Sequence, residues 1–434
     1  MAMYARKEEY QLFSASAFFS MGMYCRLVLM KCMLLSCTFR AWLSTEWKDK
    51  FTMRLFDRKR RSFSTMFGIG LLMLLLVACG NSGTTTTTTT TTSPVNGKGC
   101  TKVGILLPET ASSFRWDGVD RPDLIKDITA ALPAGSSAPD YNNAGGSASV
   151  QQSQAQADLT KGDCILVVGA YDGAAAAAIV TAAKAKNVPV IAYDRLIQSK
   201  DLAYYVSFDN VKVGQLQGQY IADHYQSYVS SGKINTVMID GAQTDNNALL
   251  FKQGAHSVLD PLFSSGKLKK VYETFTPNWD NNTAQIEMNG ALTASQNNVS
   301  VAYVANDGMA NTVIAALKAK KLNGHVLVTG QDASVAGIQH ILAGDQAMTV
   351  YKAITKEAQA TADLVKALNA GSSTSTLTNG ATTKTADGTA IPSVLETPVA
   401  VDKSNVQSTV IADGFVTLAD ACKGLPKGAG GICP

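Results

Sequence analysis

From Cys100 onward, short runs rich in β-branched and aromatic residues alternate with stretches of helical length and patterning, and few architectures accept that rhythm. Runs at 103–107, 165–168, 188–192, 204–208, 235–239, 301–304, 326–329 and 348–351 read as strands, with a weaker one at 269–274 and late ones within 394–401. Helical patterning covers 150–159, 173–186, 211–228, 247–262, 281–296, 309–321 and 356–368. Such alternation predicts an α/β fold of parallel sheets with helices on both faces. The strand count approaches what one twisted sheet holds before it splits, so two doubly wound lobes are expected rather than one. The segment 371–389, rich in Ser, Thr, Gly and Asn, is expected to be an exposed loop.

What precedes Cys100 has a different character. Arg54, Arg58, Lys59, Arg60 and Arg61 come before the apolar run 67–77, the basic-then-apolar order of a secretory signal. At about 11 residues that run is short for a permanent bilayer-spanning helix. It ends in Leu76-Val77-Ala78-Cys79-Gly80, which resembles a bacterial lipobox whose cysteine becomes the lipidated first residue of the mature protein. Residues 53–78 are therefore expected to be a lipoprotein signal peptide, with Cys79 as the lipid anchor. Met53 makes a natural start, which would leave 1–52 as a spurious extension; a membrane span within 12–43 is disfavoured by Arg26, Lys31 and Arg40. Residues 79–99, with their row of threonines, lack apolar periodicity and are expected to be a tether. The net charge of +4 belongs to the leader: residues 1–78 hold 12 Lys/Arg and 5 Asp/Glu, leaving 26 against 29 from Cys79 onward. A slightly acidic body gives no support for nucleic acid as a partner.

In open α/β sheets ligands bind beyond the carboxyl ends of the strands, so the residues just after each strand are the candidates. Those positions hold Arg115 and Trp116, then Asp172, then Asp194 and Arg195, then Asn247, Trp279, Asn306, Asp332 and Lys352. Carboxylates, amides, cations and two tryptophans are present there, but no histidine or cysteine. That inventory holds a molecule rather than reacting with it. A sugar offers hydroxyls that both donate and accept, plus a face of C–H groups. Charged and amide side chains suit the first, and an indole ring suits the second. Taken singly, Asp172, Asp307 and Asp332 are equally explained as helix N-caps; their joint placement favours a site. No GxSxG, HExxH, P-loop or GxGxxG after a strand is found, so no enzyme, cofactor or metal is expected.

The segments AYDRLI, YVSFDNVKVGQLQ, DNNALLFKQG, ANDGMA, GQDASVAGI and MTVYKAIT resemble the xylose-binding members of the periplasmic sugar-binding protein family, in order and across residues 103–415. The resemblance implies a monomeric type I binding protein whose hinged lobes hand a monosaccharide to an ABC transporter permease. It places Arg115, Trp116, Asp194, Arg195, Asn247, Trp279, Asn306, Asp332 and Lys352 at the sugar, with Trp116 and Trp279 sandwiching the ring from opposite lobes. Asp172 is not charged in the matching family loop, and SSFRWDG keeps only Arg-Trp of the family's first loop. Xylose is favoured, with arabinose, glucose or galactose open. The lobes are expected to comprise 100–208 with 353–395, and 209–352 with 396–421, followed by a tail at 422–434. A sugar receptor for chemotaxis or signalling fits the same residues, while a carbohydrate-active enzyme fits them less well.

Four cysteines follow Cys79, an even set in an exported chain, so disulfides are expected. Cys100 and Cys164 immediately precede the first and third predicted strands. In a lobe of strand order 2-1-3 those strands are neighbours, which pairs Cys100 with Cys164 and leaves Cys422 for Cys433.

Overall fold

The computed structural model describes residues 97–230, 232 and 234–434. The leader, Cys79 and the threonine row lie outside the described residues. Among the described residues no helix is long and apolar enough to cross a membrane.

Two sheets organise the chain. The first contains β1 (Val103–Leu107), β2 (Asp140–Asn143), β3 (Ile165–Val168), β4 (Val190–Tyr193) and β5 (Tyr204–Phe208), with α1 (Arg121–Ala131), α2 (Ala148–Lys161) and α3 (Ala177–Lys184) as crossovers. Its central order is β2-β1-β3-β4-β5, all parallel. Alternation along each strand feeds two cores: Val103, Ile105 and Leu107 face one layer, while Leu106 faces the other. Ile165 and Val167 against Leu166 and Val168 repeat the division. Continuous apolar runs such as ILVV are what a strand buried on both faces requires.

The chain then crosses into a second lobe through α4 (Asn210–His224). There β6 (Asn235–Asp240), α5 (Asn246–Ser264), β7 (Lys269–Phe275), α6 (Asn281–Ala294), β8 (Val301–Val304), α7 (Asp307–Ala319), β9 (Leu327–Val328), α8 (Val335–Ala343) and β10 (Met348–Tyr351) follow. The order is β7-β6-β8-β9, and a parallel bridge from Gln331 to Val350 extends it to β10. A second crossing leads from Tyr351 into α9 (Ile354–Ala370), which packs on α1 and buries Ala358, Ala362, Leu364 and Val365 in the first lobe's core.

Several expectations need correction here. The late strands expected within 394–401 fall on different sheets: β12 (Ala390–Glu396) joins β5 in parallel, and β13 (Val399–Asp402) runs antiparallel to β10. The third crossing lies between them. The segment 371–389 is not wholly loop, since Ser375–Thr378 forms a helical turn and β11 (Thr382–Lys384) pairs with β12. Helix α1 and strand β2 were not anticipated. The end of the expected tether is packed: Gly97 is buried close to Leu368, Pro189 and Ile165, and Gly99 N donates to Asn369 O. Order 2-1-3 brings Cys100 and Cys164 together, with Cα atoms 5.5 Å apart in a disulfide, and Cys422–Cys433 closes a second one.

Candidate functional site

Loops after the strands of both lobes meet in a cleft of about 310 Å³. Ser112, Ser113, Arg115, Trp116, Asp194 and Arg195 line it from the first lobe. Asp245, Asn247, Phe251, Trp279, Asn306, Gln331 and Asp332 line it from the second, and Lys352 from the crossing segment. Nine of the ten residues named from the sequence are thus brought to one place. Asp172 is not. Its Oδ1 accepts from the backbone N–H of Ala174 and Ala175, so this carboxylate caps the turn that leads into α3.

Asp194 is the junction. Its Oδ2 accepts from Arg115 Nη1 at 2.7 Å and from Lys352 Nζ at 3.2 Å, and its Oδ1 accepts from Asn247 Nδ2 at 3.2 Å. Asn247 Nδ2 also donates to the Asp194 carbonyl at 2.9 Å, a bond from one lobe to the other. Burial pushes the Asp194 carboxyl upward, but Arg115, Lys352 and Arg195 outweigh it and hold it below the ordinary carboxylate range. Further contacts join the lobes: Arg195 Nε to Asp245 Oδ2 at 3.1 Å, Ser113 Oγ to Asp332 Oδ2 at 3.4 Å, and Gly173 N to Thr244 O at 3.1 Å. Lys352 Nζ also lies 3.7 Å from Asp332 Oδ1, so one ammonium from the crossing segment links an acid of each lobe.

The two tryptophans differ in their settings. Trp279 stands on Gly241, where a Cβ would come within 2.1 Å of its ring, and its Nε1 donates to Asp245 Oδ2 at 3.2 Å. Trp116 is 2% exposed, and Arg115 and Arg195 guanidinium carbons lie 4.7 and 5.0 Å from its ring centre. Asn306 lines the cleft while its Oδ1 accepts from Met309 N and caps α7. Asp307 beside it turns away into the core, where Ser334 N, Gln346 and Thr349 donate to it.

Residues missed from sequence fall in two groups. Ser112, Ser113 and Phe251 line the cleft unforeseen, and so do Asp245 and Gln331, which follow predicted strands beside residues already named as site candidates. Glu109, Asp120 and Glu357 stand behind it, 5%, 0% and 0% exposed, holding Arg195 and Arg115. Glu357 could have been noticed: it falls on the buried stripe Ile354, Ala358, Thr361 and Val365 of α9, where an ionisable residue is out of place.

Two hinged α/β lobes with a polar cleft lined by one indole from each define a solute-binding protein of the two-lobed class. The periplasmic binding protein domain matches residues 103–373. The chain belongs to that family, among its type I sugar-binding members of the xylose group. It is 40% identical to the D-xylose-binding periplasmic protein of Haemophilus influenzae over 63% of this chain and 80% of that one. The multiple sugar-binding periplasmic receptor ChvE of Rhizobium radiobacter is 36% identical over 72% and 90% of the two chains. Among solved structures, an ABC transporter solute binding protein from Clostridium phytofermentans with bound β-D-glucose superposes with a TM-score of 0.64 at 29% identity, covering 74% of this chain and 99% of that one.

Proposed function

We propose that this chain is an extracytoplasmic solute-binding lipoprotein, anchored through Cys79, that captures a monosaccharide between its lobes and delivers it to an ABC transporter permease. One observation carries this reading: each lobe supplies charged hydrogen-bonding groups and one tryptophan to the same cleft, the concave setting with a few convergent polar groups that small-molecule sites share. Arg115, Arg195 and Lys352 are balanced there by Asp194, Asp245 and Asp332, which favours a neutral polyol over an ion. D-Xylose is the favoured ligand, because the relative at 40% identity is named for it; the glucose-bound structure keeps a hexose in view.

Delivery follows from closure. Contacts to the sugar divided between lobes are complete only when the lobes meet, so sugar shifts the population toward the closed form that a permease reads. A ligand that binds only the folded state raises the unfolding temperature. Thermal shift and calorimetry with D-xylose, L-arabinose, D-glucose and D-galactose are expected to show binding of at least one sugar without turnover. A flat response to all four rejects the proposal, and hydrolysis of a glycoside replaces it with an enzyme. Mass spectrometry of the membrane-extracted protein is expected to find a diacylglyceryl group on Cys79.

A further inference from the structure

Arg115 is held by a set of acids, two of which stay outside the cleft lining. Asp120 lies five positions after it, and the π-helical turn Trp116–Asp120 brings that side chain back beneath Arg115. Arg115 Nε donates to Asp120 Oδ2 at 2.9 Å and Nη2 donates to Asp120 Oδ1 at 2.6 Å. Nη2 also donates to Glu357 Oε2 at 2.9 Å, and Nη1 to Asp194 Oδ2 at 2.7 Å. A guanidinium has five N–H bonds. Four are committed among the described residues, so one Nη1 hydrogen remains for a molecule in the cleft.

Asp120 and Glu357 differ in how they are satisfied. Asp120 accepts from Nε and Nη2 along one edge of Arg115 and from Tyr193 OH at 2.6 Å. Glu357 accepts through one oxygen, while Oε1 has no hydrogen-bond partner among the described residues. The groups facing Glu357 are Arg115 and Asp120 from the first loop and its turn, Asp194 after β4, Lys352 from the crossing, and the phenols of Tyr193 and Tyr205. Two cations thus meet three acids, all of them buried. Burial first, and then the Asp194 charge, push the Glu357 carboxyl well above its ordinary range.

We infer that Glu357, in the first turn of α9, is a positioning residue for the cleft: its Oε2, as an accepting oxygen, locks the Nη2 edge of Arg115 and so aims the remaining Nη1 hydrogen and Asp194 at the ligand. The inference rests on the sugar-binding proposal above. It assigns Glu357 no sugar contact of its own.

Glu357→Gln keeps an accepting oxygen and removes the acid. Glu357→Met fills the same space and accepts nothing. Calorimetric titration of the full chain with D-xylose and D-glucose, with unfolding temperatures recorded alongside, separates the roles. Glu357→Gln is expected to bind within about 3-fold of the wild type at each pH from about 6 to 8, while Glu357→Met weakens binding about 30-fold, as an unpaired buried donor implies. Glu357→Asp, which withdraws the oxygen by one methylene, gives the same test should the Met variant not fold, and is expected to weaken binding about 10-fold. Wild-type affinity in Glu357→Met or Glu357→Asp, with only a lowered unfolding temperature, overturns the positioning role. Glu357→Gln binding as weakly as Glu357→Met overturns the accepting-oxygen role in favour of charge. A wild type that binds no monosaccharide shows no isotherm in any of these proteins, which removes the sugar-binding proposal and this inference with it.

Discussion

Asp194, Trp279 and Asp332 line the cleft with φ of +59°, +56° and +94°, a region where a side chain with a Cβ is strained by about 1 to 3 kcal/mol. Such conformations persist only where the surroundings over-determine them. Asp194 has that support from Arg115, Lys352 and Asn247, and Trp279 from Asp245 and the vacant side of Gly241. The strain aims one carboxylate and one indole into the gap between lobes, so both side chains should matter more to binding than to folding. Trp279→Ala removes a stacking face, and Asp194→Ala leaves Arg115 with an unpaired buried donor. Each is expected to weaken sugar binding by about 2 to 4 kcal/mol. Calorimetry showing undiminished affinity in both variants would remove these two residues from the site.

Among the elements, α4 and α5 pack so closely that glycine is required where they touch. A Cβ on Gly214 would lie 1.9 Å from Phe251 O, and one on Gly254 would lie 2.1 Å from Val211 O. Gly254→Ala must separate the helices, at a cost of about 1 to 3 kcal/mol or more. Because α5 begins beside Asn247, which donates to Asp194 across the lobes, the same change is expected to weaken sugar binding. Urea unfolding with an unchanged midpoint would show that the interface yields freely. The same level shows what the sequence could reveal. Strands buried on both faces, such as β3 and β8, announce themselves as apolar runs, and the loops after the predicted strands, taken together, carried nine of the cleft residues. Strand β2 reads Asp-Tyr-Asn-Asn and is half-buried throughout, so it has no alternation to detect. Helix α1 buries only Leu124 and Ile128, too weak a stripe to stand out. Asp172 misled because an N-terminal cap and a ligand-binding carboxylate occupy the same place in the pattern, and only the hydrogen bonds to Ala174 and Ala175 separate them.

Across the whole molecule, buried acids set how stability responds to pH. Burial raises Asp307 to about 7. Burial, aided by Asp140 and Asp158, raises Asp163 to about 6, and burial raises Asp240 to about 6 against the pull of Lys252. An aspartate titrates near 3.9 in the unfolded chain. A folded value above that means the native state binds the proton more tightly, so the stability each contributes is full below about pH 4 and is lost as pH rises through 6 to 7. Glu273 runs the other way: burial opposes, but Lys252, Lys270 and His256 hold it down to about 2, so its contribution is present above about pH 4 and is lost on further acidification. Asp194 shares that direction. The two trends bracket a maximum, and the unfolding temperature is expected to peak between about pH 4 and 6 and to fall by several degrees toward pH 8. Asp307→Asn should flatten the descending limb, because an amide has no proton to lose. Scanning calorimetry from about pH 3.5 to 8 checks both, and a wild-type profile still rising from pH 5 to 8 would show that the raised acids do not govern the stability of the fold.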